Sequence, residues 1–188
     1  MRTLVTMLFL LLTCGSSIAQ DRPARQLSQE EAKAEMCSKV ECQRDVRVVI
    51  RQTDGKVFDR RFDVLSPTVQ GNSIFVFTGQ TIRLAADLAG SQLTNIRLAK
   101  VGDTNIIEVR LSQDSDTGYM TLKVSNPFDA PLKFDLGMMP LSRPRLIKTS
   151  SCPIAPKGAA FETWPDPIFQ IVLANGRFLS NTDPISCS

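Results

Sequence analysis

Histidine is absent from this 188-residue chain. With it go the imidazole general base, the commonest zinc and copper ligand, and any histidine switch near neutral pH. Neither Gly-x-Ser-x-Gly nor Ser-x-x-Lys occurs, and without an imidazole nothing activates a serine or cysteine in the usual way. A glycine-rich phosphate loop is missing too. Two carboxylates can meet in any fold, but no spacing here singles out a pair. A strong excess of one charge is also lacking. The net charge is +3, a mild bias and not the footprint of a nucleic-acid binder. No apolar run is long enough to stay in a bilayer as a spanning helix. These absences exclude metal hydrolysis through histidine and triad chemistry, and they point to a protein without a cofactor or metal that is not an enzyme.

What is present is alternation. Ile107, Val109 and Leu111 share one parity against Glu108 and Arg110; Met120, Leu122 and Val124 alternate with Thr121, Lys123 and Ser125; Leu132, Phe134 and Leu136 alternate with Lys133 and Asp135. Period two over three successive runs predicts an antiparallel sheet with one wet and one buried face, covering a second layer.

The chain opens with Arg2, an apolar run Leu4 to Leu12, and small residues at Ser17 and Ala19. This describes a cleavable secretory leader over residues 1–19, cut after Ala19. The alternative is a lipoprotein signal acylated at Cys14, although Thr13 stands where a smaller residue is usual. Beyond Cys14 remain Cys37, Cys42, Cys152 and Cys187, an even number in a chain bound for an oxidising compartment. Of three connectivities we favour Cys37 with Cys42 and Cys152 with Cys187. The second closes the longer loop and contributes about 3 to 4 kcal/mol in the entropic account.

After a polar, proline-bearing lead at 20–27, Ser28-Gln29-Glu30-Glu31 forms a capping box that starts a short packing helix. The pattern divides the chain into that leader and lead, a helix with a local disulfide over 28–42, and a β-sandwich domain over 43–188. Val46, Val48 and Ile50 begin a hairpin that turns at Asp54-Gly55, expected as type I′. Arg60 falls on the apolar parity of Phe58 and Phe62, which predicts either a bulge or an edge strand. Ile74 to Phe77 is apolar on both parities, so it is covered on both sides. Thr81 to Leu88 should turn Ile82, Leu84, Ala86 and Leu88 inward, and Asn95 to Ala99 is a weaker strand. Six prolines within about thirty residues after Leu136 argue against regular structure there, although Arg145 to Lys148 fits one short strand. A strand resumes at Phe169, and Asn175-Gly176 reads as a further hairpin turn.

Four features compete as sites. Asp114-Ser115-Asp116-Thr117-Gly118 contains the Asp-Thr-Gly of aspartic proteases, but Ser115 and Tyr119 flank it wrongly and a hairpin loop is the better reading. Met120, Met138 and Met139 suit a core more than Cu(I). Arg47, Arg51, Arg60 and Arg61 crowd the first hairpin, where they would grip an anionic glycan, a lipid surface or an acidic envelope protein. Asp45, Asp54, Asp59 and Asp63 are interleaved with them, so cross-strand ion pairs compete with that use. Phe161 to Phe169 holds the only tryptophan, Trp164, between prolines. It reads as a stiff aromatic loop that either plugs the end of the sandwich or presents Phe161 and Trp164 to a partner.

The turn Asn126-Pro127-Phe128-Asp129-Ala130-Pro131 resembles that of immunoglobulin-like modules, and Thr149 to Pro153 with Phe161 to Phe169 resembles small uncharacterised exported proteins of Gram-negative bacteria. The resemblance implies export and an all-β, immunoglobulin-like antiparallel sandwich with a proline-rich, disulfide-tied C-terminal segment. It carries over no functional residue. The expectation is a non-enzymatic periplasmic or secreted protein that binds another macromolecule; the alternatives are a proteinase inhibitor of that fold and a carboxylate-based hydrolase.

Overall fold

A computed structural model of the chain describes residues 28–180 together with Asp183, Ser186 and Cys187. The leader over 1–19, the Cys14 alternative and the lead at 20–27 lie outside the described residues. The element order is α1 Gln29–Lys39, β1 Cys42–Arg51, β2 Val57–Pro67, β3 Val69–Gln70, β4 Ser73–Phe77, β5 Thr81–Ala89, β6 Gln92–Leu98, β7 Ile107–Gln113, β8 Met120–Ser125, β9 Leu132–Pro140, β10 Ile147–Thr149, β11 Ala159–Trp164 and β12 Ile168–Phe178. The chain is mostly β, and its strand pairs are antiparallel. No helix among the described residues is long and apolar enough to cross a membrane.

The expected capping box forms. Glu31 N donates to Ser28 Oγ at 3.2 Å, and Ser28 N donates to the Glu31 carboxylate at 2.9 Å. Packing of α1 does not follow. Ala32 and Ala34 are exposed, and only Met36 and Cys37 are half-buried. Two alanines offer too little apolar area to hold a helix down, so the Cys37–Cys42 disulfide fastens it to β1. The Cys152–Cys187 bond also forms, as favoured from the sequence.

The main sheet has two limbs. One runs β10-β9-β12 with β4 and β3 on the far side of β12, and the other runs β6-β5-β7-β8-β11. They join where Arg177 of β12 meets Gln92 of β6. A single apolar cluster takes side chains from both limbs, among them Ile74, Leu84, Val109, Leu122, Phe134 and Ile171. Here the simple reading of three neighbouring strands needs correction. β7 pairs β8, but β9 pairs β12 and β10 in the other limb. Alternation tells which face is buried and not which strand is the neighbour. One consequence is that Lys133, expected on a wet face, is 6% exposed and donates to the Ser186 carbonyl at 3.0 Å.

β1 and β2 form a separate two-stranded sheet, so the 43–188 segment is not one continuous sheet pair. Such a hairpin is unstable alone and needs an apolar face to lie on. Val48, Ile50 and Leu65 supply it, packing with Phe58 and Phe62 against Phe77 of β4 and Phe169 of β12. The Phe169 ring lies 5.3 Å from that of Phe77 and 5.5 Å from that of Phe62. Meanwhile Ile74, Val76, Ile171 and Leu173 face the main core. The pair β4/β12 is therefore covered on both sides, which is why Ile74 to Phe77 carries no polar parity.

Local geometry corrects other expectations. Gly55 has φ +82°, but Asp54 is not in the left-handed region, so the hairpin turn is not type I′; Gly55 N instead donates to Gln52 O at 3.0 Å, closing a four-residue turn. Arg60 pairs Val48 in unbroken register, so no bulge rotates it. β2 is an edge, and Arg60 stays at its surface. Leu88 is 52% exposed because the β5 register shifts between Ala85 and Asp87. Asn175-Gly176 is no hairpin turn; it is a bulge inside β12 between Ala174 and Arg177, with Asn175 at φ +52°. The prolines do not prevent strands either: β9 ends on Pro140, while β11 and β12 run on either side of Pro165 and Pro167. Proline costs a strand only where its missing N–H was needed in the ladder.

Candidate functional site

The basic hairpin is largely neutralised by its own carboxylates. Arg47 grips Asp59 through two bonds of 2.8 and 2.6 Å, and Arg61 grips Asp45 in the same forked way. These hydrogen bonds hold both carboxyls below the usual carboxylate range. Lys56 closes on Asp54 at 2.7 Å. The Arg60 guanidinium carbon sits 5.6 Å from the Phe58 ring centroid, an attraction that accounts for a charge on the apolar parity.

Arg51 behaves differently. Its N–H donates to Gln113 Oε1 at 2.7 Å, Gln113 Nε2 donates back to the Arg51 carbonyl at 2.8 Å and to Gly118 O at 2.9 Å, and its guanidinium donates to the Ser115 carbonyl. The hairpin is thereby fastened to the loop between β7 and β8. That loop is the Asp-Thr-Gly segment. Asp114 Oδ1 accepts from Thr117 N at 2.7 Å and from Asp116 N at 3.1 Å, a side-chain turn that fits the hairpin reading. Between the hairpin and the sheet opens a cleft of about 400 Å³, lined by Arg51, Thr81, Arg110, Ser112 and Gln113 among others.

Phe161 and Trp164 do not occupy a loop. Both lie on β11, which pairs β8 in unbroken register and forms the end of its limb. Trp164, facing in, packs against the main core, and its Nε1 donates to Thr149 Oγ1 at 3.2 Å. Phe161 points outward and is 64% exposed. Cys152 N donates to Glu162 Oε1 at 2.8 Å, a second tie between the two sheet ends. The methionines serve packing: Met120 is fully buried in the core and Met138 lies against it.

Register then brings together residues that the linear sequence does not relate. Thr81 of β5 is opposite Arg110 of β7, Arg110 is opposite Lys123 of β8, and Lys123 is opposite Phe161 of β11. This row crosses the outer face of one limb and runs into the cleft through Arg110. Lys123 lies 3.6 Å from Glu108, and among the described residues Arg110 has neither an ion pair nor a side-chain hydrogen bond. Arg110, Lys123 and Thr81 escaped the sequence reading because they look like ordinary polar positions on alternating strands. Only their register makes them a group. No cluster of three or more His, Cys, Asp or Glu side chains suited to a metal occurs among the described residues. Comparisons of the chain with known protein families, with curated proteins and with solved structures find no match.

Proposed function

We propose that this chain is a non-enzymatic exported protein, a β-sandwich of immunoglobulin-like type, that works in the periplasm or outside the cell by binding another macromolecule. Two joined limbs around one core support the sandwich reading. Two disulfides in a short chain are compatible with an oxidising compartment. The observation that carries the binding reading is the outer face of β7, β8 and β11. It leaves the Phe161 ring open to water beside Lys123, which Glu108 meets at 3.6 Å, and one strand away from Arg110, which has no ion pair among the described residues. A rigid sheet loses little freedom when a partner settles on it, so contacts there translate into affinity. The candidate partners are an envelope protein or an anionic envelope component.

The test captures envelope extract on the immobilised mature chain and resolves the retained material into protein, glycan and lipid. Retention above that of an unrelated disulfide-bonded β-sandwich supports the reading, and retention equal to that control overturns it. Osmotic-shock fractionation with intact-mass measurement decides between the free form and acylation at Cys14.

A further inference from the structure

We propose that the row Thr81–Arg110–Lys123–Phe161 is a binding site for an extended polyanionic glycan, with Arg110 and Lys123 holding its acidic groups and Phe161 packing against a sugar ring. This rests on the macromolecule-binding reading and names its site and partner class.

The first support is energetic. Arg110 and Lys123 stand directly opposite each other on neighbouring strands, and like charges in that relation repel and weaken a sheet. Where two cations stand opposite each other in the first hairpin, Arg47 and Arg61, each is answered by its own carboxylate, Asp59 and Asp45. Here the only carboxylate at hand is Glu108, 3.6 Å from Lys123, and Arg110 is left to solvent. The Arg110 charge has no ion pair among the described residues to offset that repulsion. Anions bridging the two cations would remove the repulsion.

The second support is geometric. Four strands at about 4.8 Å spacing place the ends of the row about 14 Å apart on a straight line. A linear chain with repeating acidic groups matches such a row, whereas a compact ion would use one end only. The adjoining row, Ser112–Thr121–Thr163, presents three hydroxyl groups alongside, and these pair with sugar hydroxyls. The line continues past Arg110 into the cleft, where Gln113 holds the Arg51 backbone and the Ser115 carbonyl holds its guanidinium, a further cation near Asp114.

The third support is the patch itself. A protein interface of ordinary size is built around a desolvated apolar centre. On the outward strand positions of β5, β7, β8 and β11 the one aromatic ring is Phe161, flanked on its own strand by Ala159 and Thr163. One aromatic platform among hydroxyls and cations fits the apolar face of a pyranose better than it fits a second protein core.

The test is affinity electrophoresis of the mature chain in gels containing polygalacturonate, dextran sulfate, neutral dextran or a single-stranded oligonucleotide. The two acidic glycans should retard the chain, carboxylate and sulfate being distinguished by which does so more, and added salt should release it. Neutral dextran should do nothing. Arg110→Ala with Lys123→Ala should weaken retardation at least about tenfold, and Phe161→Ala should weaken it while leaving the salt dependence unchanged. Thermal melts of the double variant should be no lower than those of the parent, since a repulsion is removed. Equal retardation of parent and double variant overturns the site, as does retardation by the oligonucleotide to the same extent as by the glycans. If the double variant loses an envelope protein instead of the glycans, the face binds but the partner class is wrong. If envelope capture persists unchanged in the double variant, this site fails while the macromolecule-binding reading stands.

Discussion

The indole Nε1 of Trp164 donates to the hydroxyl of Thr149 at 3.2 Å, and the two residues lie on strands at opposite ends of the ten-stranded sheet, β11 and β10. The bond spans the opening left between the limbs. With Cys152 N on Glu162 at 2.8 Å and the Cys152–Cys187 disulfide beside it, it closes that side of the core.

Opening this closure should be visible in fluorescence, because Trp164 is the only tryptophan. Cys152→Ser with Cys187→Ser should shift its emission to the red. It should also cost about 4 kcal/mol in the loop-entropy account, against about 2 kcal/mol for removing Cys37–Cys42. The separations of 35 and 5 residues set that order. Denaturant melts read by emission check it. An unchanged spectrum in the Cys152 variant would show that the tryptophan is held by its strand alone.

Asn126 should be among the most sensitive surface-loop positions despite its polar type. It is 1% exposed, and its amide donates to Ala130 O at 2.8 Å and to Ile154 O and Ala155 O at 3.1 Å, while Oδ1 accepts from Phe128 N at 3.0 Å. Asn126→Ala takes the partner from Phe128 N and Ala130 O, while Ile154 O and Ala155 O keep the N–H groups of Leu132 and Gly158, and this should cost about 2 to 3 kcal/mol. Equilibrium unfolding in urea measures the loss, and a change within error would mean that water replaces the amide.

At Gly176 the constraint is space. A Cβ there would meet Phe134 Cε1 at 2.6 Å and Leu93 Cδ1 at 2.8 Å. Gly176→Ala should therefore destabilise by about 1 to 3 kcal/mol through overpacking. A second change, Leu93→Val, should restore part of the loss if that contact is the cause, and a double-mutant cycle reads the coupling.

Acid should release the hairpin ion pairs. Arg47 lowers the Asp59 carboxyl through its hydrogen bonds, so the folded value lies under the unfolded one. The stabilisation is then present above the ordinary carboxylate value and is lost as pH falls through the folded value, beginning below about pH 4. The pair is exposed and screened, so the effect on global stability is small. Carboxyl-carbon NMR gives the sharper check. In Arg47→Ala the Asp59 midpoint should return to the ordinary range while Asp45, held by Arg61, stays low.

How much of this was legible in advance follows from the range of each interaction. The Ser28 capping box depends on residues three apart, and the alternation of β7, β8 and β9 depends on neighbours two apart, so both could be read directly. The doubly covered Ile74 to Phe77 strand was legible for the same reason. Asn175-Gly176 misled because an Asn-Gly pair suits both a hairpin turn and a bulge, and only the partner strand β9 selects the bulge, in which Asn175 alone of the two is left-handed. Phe161 and Trp164 were recognisable as a pair of aromatic residues, but their prolines suggested a loop where an edge strand forms.

The sequence by itself determined that the chain is built of β-strands and which face most of them bury, because these depend on local periodicity, whereas Leu88, Lys133 and the 35-residue link from Cys152 to Cys187 depend on the tertiary structure. Strand partnership was decided only in three dimensions: β9 left its sequence neighbour β8 for β12, and the hairpin lay on β4 and β12 instead of extending the sheet. The row from Thr81 to Phe161 exists for that reason alone. Register is a property of paired strands, and it is set by how the whole apolar surface is covered, which no single strand encodes.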